Sequence, residues 1–218
     1  LSDFTRPPTA QQAVLVELRR RIATGELRAG EQVRQDALAA QLGVSRVPLR
    51  EALKMLEGEG QVVYHPRRGY FVATLDLADL VEVYRLRELL EAEAVRSAVP
   101  ALDAAALSAL GEAVAAGRAA DADDDVAAMV AANRRFHFGL LAAADRPRLL
   151  RLIRVLWDAT DAYRSVYYGD ADTRAQVHRE HEAILRACVR ADTEQVVALL
   201  AAHRDHAVVA LSAVLAAP

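Results

Sequence analysis

The sequence predicts a mainly α fold in two parts: short helices with one small β-hairpin, then an antiparallel all-α bundle. Three observations predict it. Apolar residues recur at helical spacing through most of the 218 residues, β-branched and aromatic residues gather only in "VVYHPRRGYFVAT", and strand signals vanish after Leu75. With 53% apolar residues, a chain of this length can bury a core as one large domain or two modest ones.

The elements follow in order. Residues 9–24 carry Ala13, Val14, Leu18 and Ile22 on one helix face, and Gly25 ends that helix. A short helix over 35–42 is stopped by Gly43. The next starts at Ser45, a good N-cap, and reaches about Gly58; Pro48 is tolerated in its first turn, where the amides have no intrahelical partner. Strand, turn and strand follow, with Pro66-Arg67-Arg68-Gly69 at the tip. Asp76 is placed to cap a long helix that stops before Pro100. Further helices are expected over 103–119, 125–144, 147–168, 173–190 and 193–216, with breaks at "DADDD", "DRP" and "GDAD". The acidic run reads as a solvated loop or helix start rather than a metal site. A boundary near Leu75 divides the chain into domains 1–75 and 76–218.

Charge is spread unevenly across that boundary. Residues 1–75 hold 11 Lys+Arg against 8 Asp+Glu, and residues 76–218 hold 16 against 22, so the parts carry +3 and −6. A mildly basic N-terminal module suits a polyanion, and the acidic remainder repels one. No charge-free apolar run of about 18 residues and no signal-peptide pattern is present, so no membrane association and a cytoplasmic location are expected. The single cysteine, Cys188, lies in a helical pattern and reads as core filling rather than a nucleophile.

Two short helices joined by "LGVS" have the length and punctuation of a helix-turn-helix. On the second of them Leu49, Ala52, Leu53 and Leu56 form an apolar stripe, while Arg46, Arg50 and Lys54 recur every four residues on another face. Arginine's planar fork can grip phosphate or the guanine edge with two hydrogen bonds. Such a stripe taken alone is more often a solvated face. Its agreement with the turn glycine and the basic Arg67-Arg68-Gly69 hairpin tip favours a winged helix-turn-helix that binds double-stranded DNA.

The stretch "IATGELRAGEQVRQDALAAQLGVSRVPLREALKMLEGEGQVVYHPRRGYFV" resembles the DNA-binding domain of the GntR family of bacterial transcription regulators, over roughly residues 9–74. The resemblance implies DNA contacts from Arg34, Arg46 and Arg50 and minor-groove entry by the wing glycine, Gly69. Ser45, Arg67 and Arg68 complete the candidate DNA-binding set. "VRQDALAA" departs from the family's usual leucine and glutamate ahead of this helix.

Four of the six histidines fall within "HREHEAILRACVRADTEQVVALLAAHRDH". His181 shares a stripe with Val177, Ile184, Leu185 and Cys188, His203 follows Val196, Leu199 and Leu200, and His137 lies between Val130 and Leu140 with Leu141. Three helices each aim one imidazole inward. His178, between Arg174 and Glu182, reads as a boundary position, and the phase of His206 is ambiguous. A lone inward histidine is usually a hydrogen-bonded core residue, whereas three in one bundle can share a divalent metal. Asn133, four residues before His137, can supply a fourth ligand oxygen.

Residues 77–214 resemble the FCD-type ligand-binding domain of the FadR subgroup, through "RLRELLEAEA", "NRRFHFGLLAAADRPRLL", "HEAILRACVRAD" and "AAHRDH". Many such domains bind a divalent metal, often zinc, through an Asp or Asn and three histidines. The resemblance maps that set to Asn133, His137, His181 and His203, with zinc, nickel or another divalent ion as cofactor. Three neutral imidazoles and a neutral amide leave the ion's charge uncompensated, so a small organic acid is the expected effector. Arg87 is the cation placed to meet it, or else a snorkelling surface arginine, with Arg164 and Tyr167 as weaker contacts.

The expected protein is a homodimeric transcription regulator, a repressor on a palindromic operator, and not an enzyme. Two other readings stand beside it. One is a metal-dependent hydrolase using the three histidines, although "HEAIL" has Leu185 where a zinc protease helix needs its second histidine. The other is an architectural DNA-binding protein with an inert helical dimerisation domain.

Overall fold

The computed structural model describes residues 8–74, 77–160, 163 and 167–215. Helix α1 (Ala10–Ala23) opens with a capping box, in which Thr9 Oγ1 accepts from the Gln12 amide and Gln12 Oε1 accepts from the Thr9 amide. Helix α2 (Gln35–Leu42) ends on Gly43 at φ 65°, where a side chain would be strained. Helix α3 (Arg46–Gly58) buries Leu49, Ala52, Leu53 and Leu56 against Val14, Leu15, Leu18 and Ile22 of α1. Ser45 is its N-cap by position, but its side chain makes no capping hydrogen bond, contrary to the expectation that it would hold the first turn.

Strands β1 (Val62–His65) and β2 (Gly69–Val72) pair antiparallel from Val62↔Val72 to His65↔Gly69. The turn puts Arg67 at φ 65° and Gly69 at φ 86°. The lead-in to α2 clamps the hairpin from the other side: the amides of Gly30 and Val33 donate to the carbonyls of Val72 and Tyr70. The wing is thereby held to the helices by backbone bonds as well as by burial of Val62, Tyr70 and Val72.

The second part is a bundle of α4 (Leu77–Ala98), α5 (Ala104–Ala122), α6 (Val126–Ala142), α7 (Pro147–Ala159), α8 (Ala171–Val189) and α9 (Thr193–Leu215). Asp103, Asp125 and Asp170 cap α5, α6 and α8 by accepting first-turn amides. Part of the acidic run is therefore a helix start, as expected. Pro100 lies inside a one-turn 3-10 helix, Val99–Ala101, that follows α4 directly. The helix expected over 147–168 instead ends at Ala159: Thr160 closes it, its amide and hydroxyl both donating to the Trp157 carbonyl. The expected cap Asp76 and the boundary at Leu75 lie outside the described residues.

Two apolar clusters fill the bundle. One contains Val95, Phe136, Leu140, Ile153, Trp157, Ile184, Cys188, Val196 and Leu200; the other contains Leu80, Tyr84, Met129, Val130, Val177 and Leu211, and reaches Ala23 of α1. Cys188 is core filling as expected, and burial pushes its thiol up to about 11. Four helices cross from one cluster to the other through buried polar residues: Arg87 and Glu91 on α4, Asn133 and His137 on α6, His181 on α8, His203 and Arg204 on α9. A polar layer is thus sandwiched inside an otherwise apolar core. Residues 193–213 of α9 are long and apolar enough to cross a membrane by length and composition, yet the buried positions on this helix include His203 and Arg204.

Candidate functional site

The N-terminal site is a cationic edge. Arg34, Arg46, Arg50, Lys54, Arg67 and Arg68 are all exposed; for Arg46, Arg50 and Lys54 the reason is that the apolar stripe of α3 faces α1 and leaves the basic stripe outward. Arg34, Arg46, Arg68 and Gly69 open onto one cleft of about 460 Å³ between the wing and the start of α2. Arg50 and Arg67 lie outside its lining. Asp36, which sequence reasoning passed over, also lines the cleft and pairs with Arg46 at 2.6 Å. Gln32 Nε2 donates to the Arg68 carbonyl at 2.5 Å and steadies the wing tip. The hydroxyl of Ser45, unused in capping, is exposed beside Arg46.

The second site is the polar layer of the bundle. His137, His181 and His203, from α6, α8 and α9, are buried with one ring nitrogen each lying within 4.8 Å of the others. The Nε2 atoms of His137 and His181 stand 3.2 Å apart. The His203 ring lies 5.2 Å from that of His137 and 5.0 Å from that of His181. An ion with metal–nitrogen bonds of about 2.0–2.1 Å holds its nitrogens roughly 3–3.5 Å apart, so the donor set fits one divalent cation after small ring movements. Burial pushes the His181 imidazole well below its ordinary pKa, and the nearby His203 and His178 add to the effect, so at neutral pH the ring is uncharged and could donate a lone pair. Asn133 is buried, and its Nδ2 has no hydrogen-bond partner. Since amide oxygen and nitrogen are interchangeable by a flip, that orphaned end is where an oxygen ligand would sit.

Asn133 and His203 share a cavity of about 20 Å³ with Tyr84, Arg87, Trp157, Tyr167 and Arg204. Arg87 is not the snorkelling surface residue of the alternative reading; its side chain is 4% exposed. Nor is it wholly available to an effector, because its Nε donates to Glu91 Oε1 at 2.9 Å and its guanidinium lies over Trp157 and Tyr84. Glu91 accepts further from Trp157 Nε1 and from Arg204 Nη1, both at 2.7 Å. Burial raises the Glu91 carboxyl, but the charges of Arg87 and Arg204 outweigh it and hold it below its usual range. Two buried guanidiniums on one carboxylate leave one positive charge in excess. Arg87 Nη1 and Arg204 Nε are buried donors without a partner. Tyr167 lines the same cavity, and Arg164 lies outside the described residues.

The histidines not in the cluster are also settled. His178 is buried rather than at a boundary, its Nε2 3.0 Å from Asp121 Oδ2, and His206 is half-exposed with Nδ1 2.5 Å from Glu180 Oε1. Sequence reasoning missed Glu180, Glu91, Arg204 and Trp157. The i,i+4 pair in "RLRELLEAEA" was the available signal for Glu91; Arg204 and Glu180 carry none that points to their role, because Glu91 and His203, which they meet, lie on other helices.

A winged helix-turn-helix with an outward basic stripe, joined to a helical bundle with a buried polar cavity, defines a DNA-binding module carried on a helical domain. The chain matches the model for bacterial regulatory proteins of the gntR family over residues 10–72 and that for the FCD domain over residues 82–206. It belongs to the GntR family, with an FCD domain, and is a DNA-binding transcriptional regulator rather than an enzyme. It is 30% identical to the Nta operon transcriptional regulator of Aminobacter aminovorans, over 81% of this chain and 82% of that protein. The solved structure of Escherichia coli McbR aligns with a TM-score of 0.83 at 26% identity, covering 96% of this chain and 98% of that one. A GntR transcriptional regulator from Rhodococcus sp. RHA1 aligns at 0.81, also at 26% identity, over 94% and 99%. The hydrolase reading is thereby set aside.

Proposed function

We propose that this regulator is a homodimeric repressor whose grip on a palindromic operator is controlled by a small organic acid bound at a divalent metal in the bundle. One observation carries the sensing half: two buried donors without acceptors, Arg87 Nη1 and Arg204 Nε, belong to residues lining the same cavity as Asn133 and His203. A buried donor left unpaired costs about 1–3 kcal/mol, so the site is built for a guest with acceptor oxygens. Asn133, His137, His181 and His203 would hold the metal, zinc or another ion suited to imidazole, which supplies a Lewis-acidic anchor for a carboxylate. Arg87 and Arg204 would take its outer oxygen, with Trp157 and Tyr167 walling the cavity. The architectural reading fares worse, since an inert core has no use for orphaned donors.

On the DNA side, Arg46 and Arg50 of α3 read base edges in the major groove, Arg34, Ser45 and Arg67 take phosphates, and Arg68 with Gly69 brings the wing to the adjacent minor groove. The domain division at residues 75/76 lets the winged part move as a unit. A second copy is favoured by exposed apolar side chains on two adjacent helices, Leu86 and Leu89 of α4 with Leu152 and Val155 of α7. The test is a panel of small carboxylic acids scored for thermal stabilisation and operator release, with and without chelator. An acid that stabilises the protein only when metal is present and shifts operator affinity is the expected result. Operator affinity indifferent to every acid and to metal removal would sink the reading.

A further inference from the structure

We infer that Glu180 is the positioning residue of the metal site: it holds His203 by its Nδ1, leaves Nε2 as the ligating atom, and supplies the negative charge the ligand set lacks. This rests on the metal reading above. Glu180 precedes His181 on α8, and successive helix residues diverge by about 100°. His181 therefore turns into the cluster while Glu180 turns to α9. There Glu180 Oε2 lies 2.5 Å from His203 Nδ1, and its Oε1 lies 2.5 Å from His206 Nδ1 and accepts from Gln176 Nε2 at 3.0 Å.

A carboxylate only accepts hydrogen bonds, so His203 must carry its proton on Nδ1. Only Nε2 then keeps a lone pair for a metal. A carboxylate on the far nitrogen also raises the ring's basicity and fixes its angle. It further offsets one of the two charges that a neutral donor set leaves on the ion, since an anion already stands one ring away, and leaves the other for the acid's carboxylate. The carboxylate is itself fastened: Gln176 on its own helix and His206 on α9 hold it from the solvent side, Glu180 being 16% exposed. His178 of α8 with Asp121 of α5 is a second histidine–carboxylate pair, outside the three-histidine group, and serves as an internal control.

The experiment measures zinc affinity by competition with a chromophoric chelator in the full-length protein, and the His203 tautomer from imidazole ¹⁵N shifts in metal-free protein. In Glu180→Ala, affinity should fall by about 10- to 100-fold, and the His203 proton should no longer be confined to Nδ1. Glu180→Gln keeps an acceptor but no charge; it should retain the tautomer and lose part of the affinity, and it remains informative where the alanine variant folds poorly. Asp121→Asn should stay within about twofold of the parent on the same scale. Equal zinc affinity in parent, Glu180→Ala and Glu180→Gln would overturn the role of Glu180 while leaving the metal site standing. A parent that takes up no zinc would overturn the metal reading and the ligand-positioning role together, with the tautomer still reporting separately whether Glu180 orients the ring.

Discussion

Arg46 leaves 75% of its side chain in water and is tied by one ion pair to Asp36, which is 70% exposed, whereas Arg87 leaves 4% and is held by Glu91, Tyr84 and Trp157 at once. The first pair is worth about 0–1 kcal/mol and is screened by salt. It can break when a phosphate or a guanine offers itself. The second is over-determined: each partner also holds another, and removing one strands a charge in a dry core. The comparison teaches how one chain can keep a cationic head cheap to rearrange on a polyanion and a buried polar layer that resists change. On the function proposed above, that layer shifts only when a guest satisfies what the protein leaves unpaired.

The largest expected effect falls on the buried side. Elemental analysis of protein purified without chelator should find close to one metal per chain, and His137→Ala or His181→Ala should bring it near zero. Mutants and parent equally empty would make the cluster an ordinary core. Next, Glu91→Gln should cost about 3–5 kcal/mol in urea unfolding at neutral pH, because two guanidiniums lose their shared anion. Its pH dependence has a definite sign. The folded pKa of Glu91 is depressed, so its contribution is present above the unfolded value of about 4.3 and is lost as pH falls through the folded value. Parent and Glu91→Gln stabilities should therefore converge in acid, and a constant gap would mean that packing, not charge, is responsible.

Smaller effects belong to the exposed side. Arg46→Ala or Arg50→Ala should weaken operator binding by about 1–3 kcal/mol while random-sequence binding changes less, as fluorescence anisotropy on both duplexes would show. Equal losses on both would recast these arginines as phosphate contacts. Arg67→Ala should be milder still, lowering the slope of log K against log salt by about one with little change in discrimination.

Much of this was legible along the chain. The turn glycine Gly43 and the hairpin tip are local signals, and each marks the element it predicted. The inward phase of His137, His181 and His203 follows from apolar neighbours three and four residues away, and all three are buried. Helix α7 was overextended because apolar spacing persists past Ala159, while its end depends on bonds to the Trp157 carbonyl that no periodicity shows. Arg87 was read as a free cation or a surface residue because its ring partner Trp157 and co-cation Arg204 lie 70 and 117 positions downstream.

Sequence by itself therefore determined the order and type of the helices, the outward basic stripe, the family and the inward histidines, because each depends on neighbours within about one or two helical turns. Tertiary structure alone decided that Glu180 meets His203, that Glu91 bridges two guanidiniums, and that the orphaned donors line one cavity. Apart from the Arg87–Glu91 bond within α4, those contacts join side chains of different helices, and their distances depend on how apolar faces pack rather than on spacing within any one segment.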